Sequence, residues 1–172
     1  MATILSRLEI VRLLHRITKP KNQLLIALAY GTGLRLCEII NLKARDVDFE
    51  KSAIHCARRL IVIPNRLKNP LWKLLSNKKG NDFAFKITPR GLQKMFERAV
   101  KKANIPKGAT FLSLRHSFAA HLAEEGVNFR IIQKLMGYSR TRAPRACAKA
   151  TASVSQKIRS PLEQSGFLIA SA

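Results

Sequence analysis

Acidic residues are scarce: 10 Asp+Glu stand against 32 Lys+Arg in 172 residues, a formal net charge of +22. A compact chain with that imbalance repels itself, and the usual relief is a polyanion, nucleic acid first among them. Cysteine is sparse too. Cys37, Cys56 and Cys147 lie far apart, with no CxxC pair and no metal-ligand spacing, which predicts reduced thiols in a cytosolic protein and no metal site. No apolar run approaches the ~18–20 residues that a bilayer span needs. The N-terminal stretch MATILSRLEIVRLLHRI has no compact apolar core ending in small residues, which excludes a secretory signal. Internal repeats are missing as well. The basic residues are spread along the chain rather than gathered on one amphipathic helix, so a broad nucleic-acid face is expected in preference to a membrane surface.

What is present is a globular domain. Hydrophobic residues make up 47%, and the length suits one domain with a sizeable core. Helical periodicity dominates. Ser6 to Glu9 reads as a helix-starting box, opening a helix over about 6–17 whose buried face is Leu8, Val11, Leu13 and Leu14. A second helix, about 21–30, ends at Gly31 and Gly33. A third follows Thr32, turns Leu34, Cys37 and Ile40 inward, with Ile39 as a further candidate, and closes near Leu42. SAIHCARRLIVIP, residues 52–64, carries the one convincing β signal and predicts two short strands. NRLKNPLWKLLSN is helical again, with Trp72 on its buried side. Thr88 caps and Pro89 opens a helix that carries Leu92, Met95, Phe96, Ala99 and Val100. Two more helices are expected at about 113–125 and 128–136, ended by Gly126 and Gly137. Residues 140–161 are rich in Ala, Ser and Arg with few large apolar side chains, so the tail 140–172 is expected to be weakly anchored.

Two arginines stand out. Arg35 lies in GTGLRLCEII, just after a glycine-bounded turn, and Arg115 lies in SLRHSFAAHL beside His116. Each begins a helix next to residues of buried type. A guanidinium is planar and permanently charged, and its fork of donors fits two phosphate oxygens. A helix N-terminus adds free N–H groups and partial positive charge. Residue chemistry alone reaches a basic helical protein that grips phosphate, because no periodicity pairs two arginines 80 positions apart.

Longer stretches carry more. ALAYGTGLRLCEIINLKARDVDFE resembles the first arginine box of the tyrosine recombinase, or phage integrase, family. GATFLSLRHSFAAHLAEEGVNFRIIQKLMGYS resembles the second box, where the family has His-x-x-Arg-His and then Leu-Gly-His-Ser, and KIRSPLEQ is similar to the tail of some members. The resemblance covers essentially the whole chain. It implies a mainly α catalytic-domain fold with a small antiparallel β-sheet, the DNA breaking-rejoining fold, as one domain over residues 1–172. It also implies double-stranded DNA as partner and a reaction without ATP, metal or other cofactor. In that family a tyrosine attacks the scissile phosphate to give a 3′-phosphotyrosyl link, and two arginines hold the non-bridging oxygens and stabilise transition-state charge. A hairpin lysine gives its proton to the leaving 5′-oxygen, and four protomers exchange strands. Residue by residue, Arg35 matches the first arginine, Glu38 the acidic residue after it, and Arg115 the second arginine. His116 matches the histidine beside it, on the phosphate side by position and a scaffold group by preference. His121, later in the same helix, reads as a satisfied core histidine. Arg58, Arg59 and Arg140 are further candidates for the phosphate face.

Four features depart from the family pattern. Leu112, three before Arg115, stands where histidine is expected and can neither take nor give a proton. Tyr138 stands where histidine or tryptophan is expected, and its hydroxyl can still donate to phosphate. HCARRLIVIP lacks the lysine-bearing turn and leaves Arg58 or Arg59 nearby, yet an arginine holds its proton too tightly to act as the acid. The nucleophile position falls on Cys147, and a thiolate is a poor nucleophile at phosphorus. Each lost proton transfer is worth roughly 10²–10⁴-fold. The expectation is a catalytic domain for site-specific DNA recombination and integration, impaired in strand cleavage, with Arg35, Arg115, Leu112, Tyr138 and Cys147 at the catalytic positions. The alternative is a catalytically dead module that only binds duplex DNA; from another class, a basic RNA-binding or ribosome-associated protein is the third reading. The chain begins where a catalytic domain of the family begins, so an arm-type N-terminal DNA-binding domain is expected to be absent, in a fragment or a truncated gene. A location in the bacterial cytoplasm or nucleoid, and assembly on DNA through Phe167 to Ala172, complete the expectation.

Overall fold

A computed structural model describes residues 3–56, 59–105, 108–137 and 159–164. Its centre follows from one stretch. KNQLLIALAYGT has no polar face, and a helix that is apolar all round belongs inside. That helix, α2 (Pro20–Thr32), is buried from Gln23 to Thr32. Around it pack α1 (Arg7–His15), α3 (Leu36–Ile40), α4 (Asn65–Leu75), α6 (Phe111–Glu124) and α8 (Pro161–Gln164). The buried amide of Gln23 is satisfied by donating to the Leu14 carbonyl at 3.0 Å. Helices α5 (Pro89–Lys102) and α7 (Phe129–Met136) flank this group.

Helix starts follow their local chemistry. Ser6 Oγ accepts from the Glu9 N–H at 3.2 Å while the Glu9 carboxylate accepts from the Ser6 N–H at 2.8 Å, the reciprocal box expected there. Thr88 Oγ1 accepts from the Gly91 N–H at 3.1 Å, with Pro89 in the first helical position. Three faces differ from expectation. Helix α1 buries Ile10, Leu13 and Leu14, which leaves Leu8 about 200° round from Ile10 and 75% exposed. Helix α4 buries Leu67, Leu71 and Leu75, one row four residues apart, so Trp72 beside that row is 57% exposed. The five-residue α3 buries Ile39 and leaves Cys37 outside.

The sheet is antiparallel and three-stranded, in the order β1 (Val47–Asp48), β2 (Ala53–Cys56), β3 (Arg59–Val62). Strands β2 and β3 are the expected pair; β1 is an addition, too short to carry a pattern of its own. The register of β2 with β3 sets Cys56 opposite Arg59, and Arg59 reaches Glu38 of α3. A mainly α fold with a small antiparallel sheet is therefore what the chain adopts. Part of the tail is firmly held, against the expectation for 140–172. Leu162 is buried, Ser160 Oγ donates to the Gly31 carbonyl at 2.7 Å, and Glu163 accepts from the Asn65 N–H at 2.7 Å. Glu163 thus caps α4 from 98 positions away. Among the described residues no helix is long and apolar enough to cross a membrane.

His121 is the satisfied core histidine, 2% exposed with its Nδ1 2.8 Å from the Tyr30 hydroxyl. Burial holds its pKa below the ordinary histidine value, opposed by Glu124 and assisted by Arg7. Burial also raises the pKa of Tyr30. Below about pH 6.5 the unfolded chain takes up a proton that folded His121 refuses, so stability falls with pH there; above about pH 10 unfolded Tyr30 gives one up, and stability falls again. Thermal melts from about pH 7 to about pH 5 should show a declining melting temperature, and His121→Asn should flatten that decline. An identical decline in the variant would assign it to other groups.

Candidate functional site

Two chain reversals build the site. Helix α2 ends on Gly33 with φ +64°, and the chain turns through Arg35 into α3. Helix α7 ends on Gly137 with φ +62°. Each reversal turns carbonyl oxygens outward from a helix C-terminus, where orphan acceptors and the negative end of the helix dipole attract cations. Arg115, in the second turn of α6 and only 2% exposed, donates from Nη1 to the Gly33 carbonyl and from Nη2 to the Met136 carbonyl. Arg35 donates from Nη2 to the Gly137 carbonyl at 3.3 Å. Arg59, on β3, donates from Nη1 to the same Met136 carbonyl at 2.7 Å. Three guanidinium groups from three elements meet at the end of α7.

Glu38 joins the Arg35 main chain to the Arg59 side chain. Its Oε2 accepts from the Arg35 N–H at 2.7 Å, which caps α3, and from Arg59 Nη2 at 2.6 Å. The Arg59 side chain is 12% exposed, and its Nε is buried without a partner among the described residues. Its pKa lies below the ordinary guanidinium value, through burial first, with Glu38 opposing and Arg115 and Arg35 adding to the effect. Arg59 thus sits among two further cations, with Glu38 as its ion-pair partner. Such a spot suits an anion with two equivalent oxygens. Cys56 borders it, its thiol pushed up to about 11 by burial and then by Glu38, so the sulfur stays protonated near neutrality.

Arg35 is open to solvent, whereas Arg115 is held behind it by packing. Leu112, in the first turn of α6, exposes 54% of a hydrocarbon side chain where a proton carrier was expected. His116 follows Arg115 on α6 and is half-buried. Arg58, Tyr138, Arg140 and Cys147 lie outside the described residues. Sequence reasoning missed the carbonyls of Met136 and Gly137, since a main-chain acceptor has no residue type to announce it. The Arg59–Glu38 pair was also missed. Its local half, a Glu three residues after the first arginine, carries a capping signal, but its other half depends on the hairpin register.

The model of the phage integrase family matches residues 4–146. The chain is 33% identical over 165 residues to the tyrosine recombinase XerA of Thermococcus kodakarensis, covering 86% of this chain and 58% of that one. It is 31% identical over 159 residues to the tyrosine recombinase XerD of Oceanobacillus iheyensis, covering 79% and 54%. The chain thus spans less than two thirds of these relatives. Among solved structures, the XerA recombinase crystal structure superposes with TM-score 0.72 at 25% identity, over 95% of this chain and 61% of that one. The Tn1549 transposon integrase in complex with circular intermediate DNA gives 0.73 at 25% identity, over 87% and 64%. With a mainly helical fold, a small sheet and converging arginines already established, these matches are decisive: the chain belongs to the phage integrase family of tyrosine recombinases.

Proposed function

We propose that residues 1–172 act as one recombinase catalytic-type domain, which grips the backbone of duplex DNA for site-specific recombination and integration and is itself impaired in strand cleavage. The supporting observation is the convergence of Arg35, Arg59 and Arg115 on the carbonyls of Met136 and Gly137. Guanidinium heads fixed in advance stabilise charge on non-bridging phosphate oxygens without reorganising as the reaction proceeds. The solved complex of the Tn1549 integrase with DNA supports DNA as the partner. In this reading Arg35 meets the phosphate from the solvent side and Arg115 backs it from the core, with Glu38 orienting Arg59 as a third arm.

Cleavage needs more than a grip. Breaking the P–O5′ bond leaves an alkoxide that must take a proton, and the attacking group must lose one. Leu112 offers neither service, and Arg59, near the hairpin, keeps its proton. Cys147, at the nucleophile position, would substitute sulfur for oxygen at phosphorus. A module that binds duplex DNA and never cuts it is the second reading, favoured by the exposed hydrocarbon of Leu112. Copies assemble on DNA through Phe167 to Ala172, and the protein works in the cytoplasm or nucleoid.

A nicked suicide duplex that traps covalent protein–DNA adduct tests the chemistry. The unchanged chain is expected to give no adduct, and Leu112→His combined with Cys147→Tyr is expected to raise it. Efficient trapping by the unchanged chain would overturn the impairment. Gel shifts over a salt series test the grip: affinity should fall steeply with salt, and a flat response would remove DNA as the partner.

A further inference from the structure

A second concentration of positive charge lies at the opposite end of α2 from the three arginines. A cleft of about 690 Å³ there is lined by Arg16 and Lys19, from the turn between α1 and α2, and by Lys94, Arg98, Lys101 and Lys102, from one side of α5. No acidic side chain is among its described lining residues, and its floor is apolar, with Ile17 and Met95. Lys21 stands at the neighbouring start of α2, its pKa below the ordinary lysine value through burial first and then the charges of Lys78 and Lys86. Cations gathered this densely repel one another unless an anion lies among them.

We propose that this cleft is a second nucleic-acid contact, which holds the sugar-phosphate backbone of duplex DNA along α5. The proposal rests on the DNA reading of the arginine site only in having one duplex engage both. Lys94, Arg98 and Lys101 stand at i, i+4 and i+7, so their heads follow one helix face over roughly 10 Å. That length covers three steps of about 3.4 Å of axial rise, about four successive phosphates of one strand. Four of the six lining cations are lysines, point charges that contact phosphate without demanding a bidentate geometry or reading sequence. The 13 residues of α2 separate the cleft from Gly33 by roughly 18 Å, a distance of about five base pairs, well within the length of one duplex. An apolar floor suits lysine stems, whose ammonium groups can then stay at the rim.

The test compares the full chain with Lys94→Ala/Arg98→Ala/Lys101→Ala and with Arg35→Ala. All three cleft side chains are exposed and alanine favours helix, so the triple variant should melt with the same circular dichroism signal. Fluorescence anisotropy with a long mixed-sequence duplex over a salt series then reads both sites. The triple variant is expected to lose affinity at least about tenfold and to flatten the log Kd against log salt slope by about 2–3, and Arg35→Ala by about 1. If only Arg35→Ala changes the slope, the cleft proposal is overturned and the arginine reading stands. If only the triple variant changes it, the arginine reading fails and the cleft proposal stands. No DNA binding by the unchanged chain overturns both. Binding of poly-glutamate that the triple variant abolishes, with the DNA slope unmoved, would reassign the cleft to an acidic protein partner.

Discussion

Replacing Arg115 with leucine should cost about 2–4 kcal/mol of folding stability, because the Gly33 carbonyl loses its charged donor and the Met136 carbonyl keeps only Arg59. These two carbonyls belong to different chain reversals. Urea denaturation gives the stability, and the same samples should show weaker, less salt-dependent DNA binding. Arg115→Lys makes the sharper comparison. A single ammonium keeps the charge but lacks the rigid fork that spans both acceptors, so most of the loss should persist. Full stability in the lysine variant would mean that charge alone, and not the fork, joins the two reversals.

Gly33→Ala is expected to act on the same joint from the other side. At φ +64° an L side chain costs about 1–2 kcal/mol. A Cβ there would also lie 2.6 Å from Phe118 Cδ1, and overpacking of that kind adds about 1–3 kcal/mol. Gly126 separates the two parts. Its φ is +78° with nothing within 4 Å of a built Cβ, so Gly126→Ala should show the backbone cost alone, about 1–2 kcal/mol. Equal losses at both glycines in urea melts would refute the steric part. Phe118→Ala in the Gly33→Ala background provides the reciprocal check, since it frees the space without changing φ.

Much of the fold was legible because local chemistry decides it. The all-apolar run of α2 admits no exposed face, and Ser6 and Thr88 begin helices by bonds within three residues. The faces of α1 and α4 were less legible. Leu8 and Trp72 are as apolar as their buried neighbours, and which side of a helix turns inward is settled by what it packs on. For the candidate site, Arg35 and Arg115 were visible through their boxes. The main-chain acceptors that hold them were invisible, and so was the docking of Ser160 and Glu163, whose partners lie 129 and 98 positions away.

The Ser160 hydroxyl rests on the carbonyl of Gly31, two residues before the carbonyl that Arg115 grips. Leu162 wedges against Gly31 itself, its Cδ2 3.0 Å from where a Cβ would stand. The anchor of α8 and the anchor of Arg115 therefore share one short stretch of chain, Gly31 to Gly33.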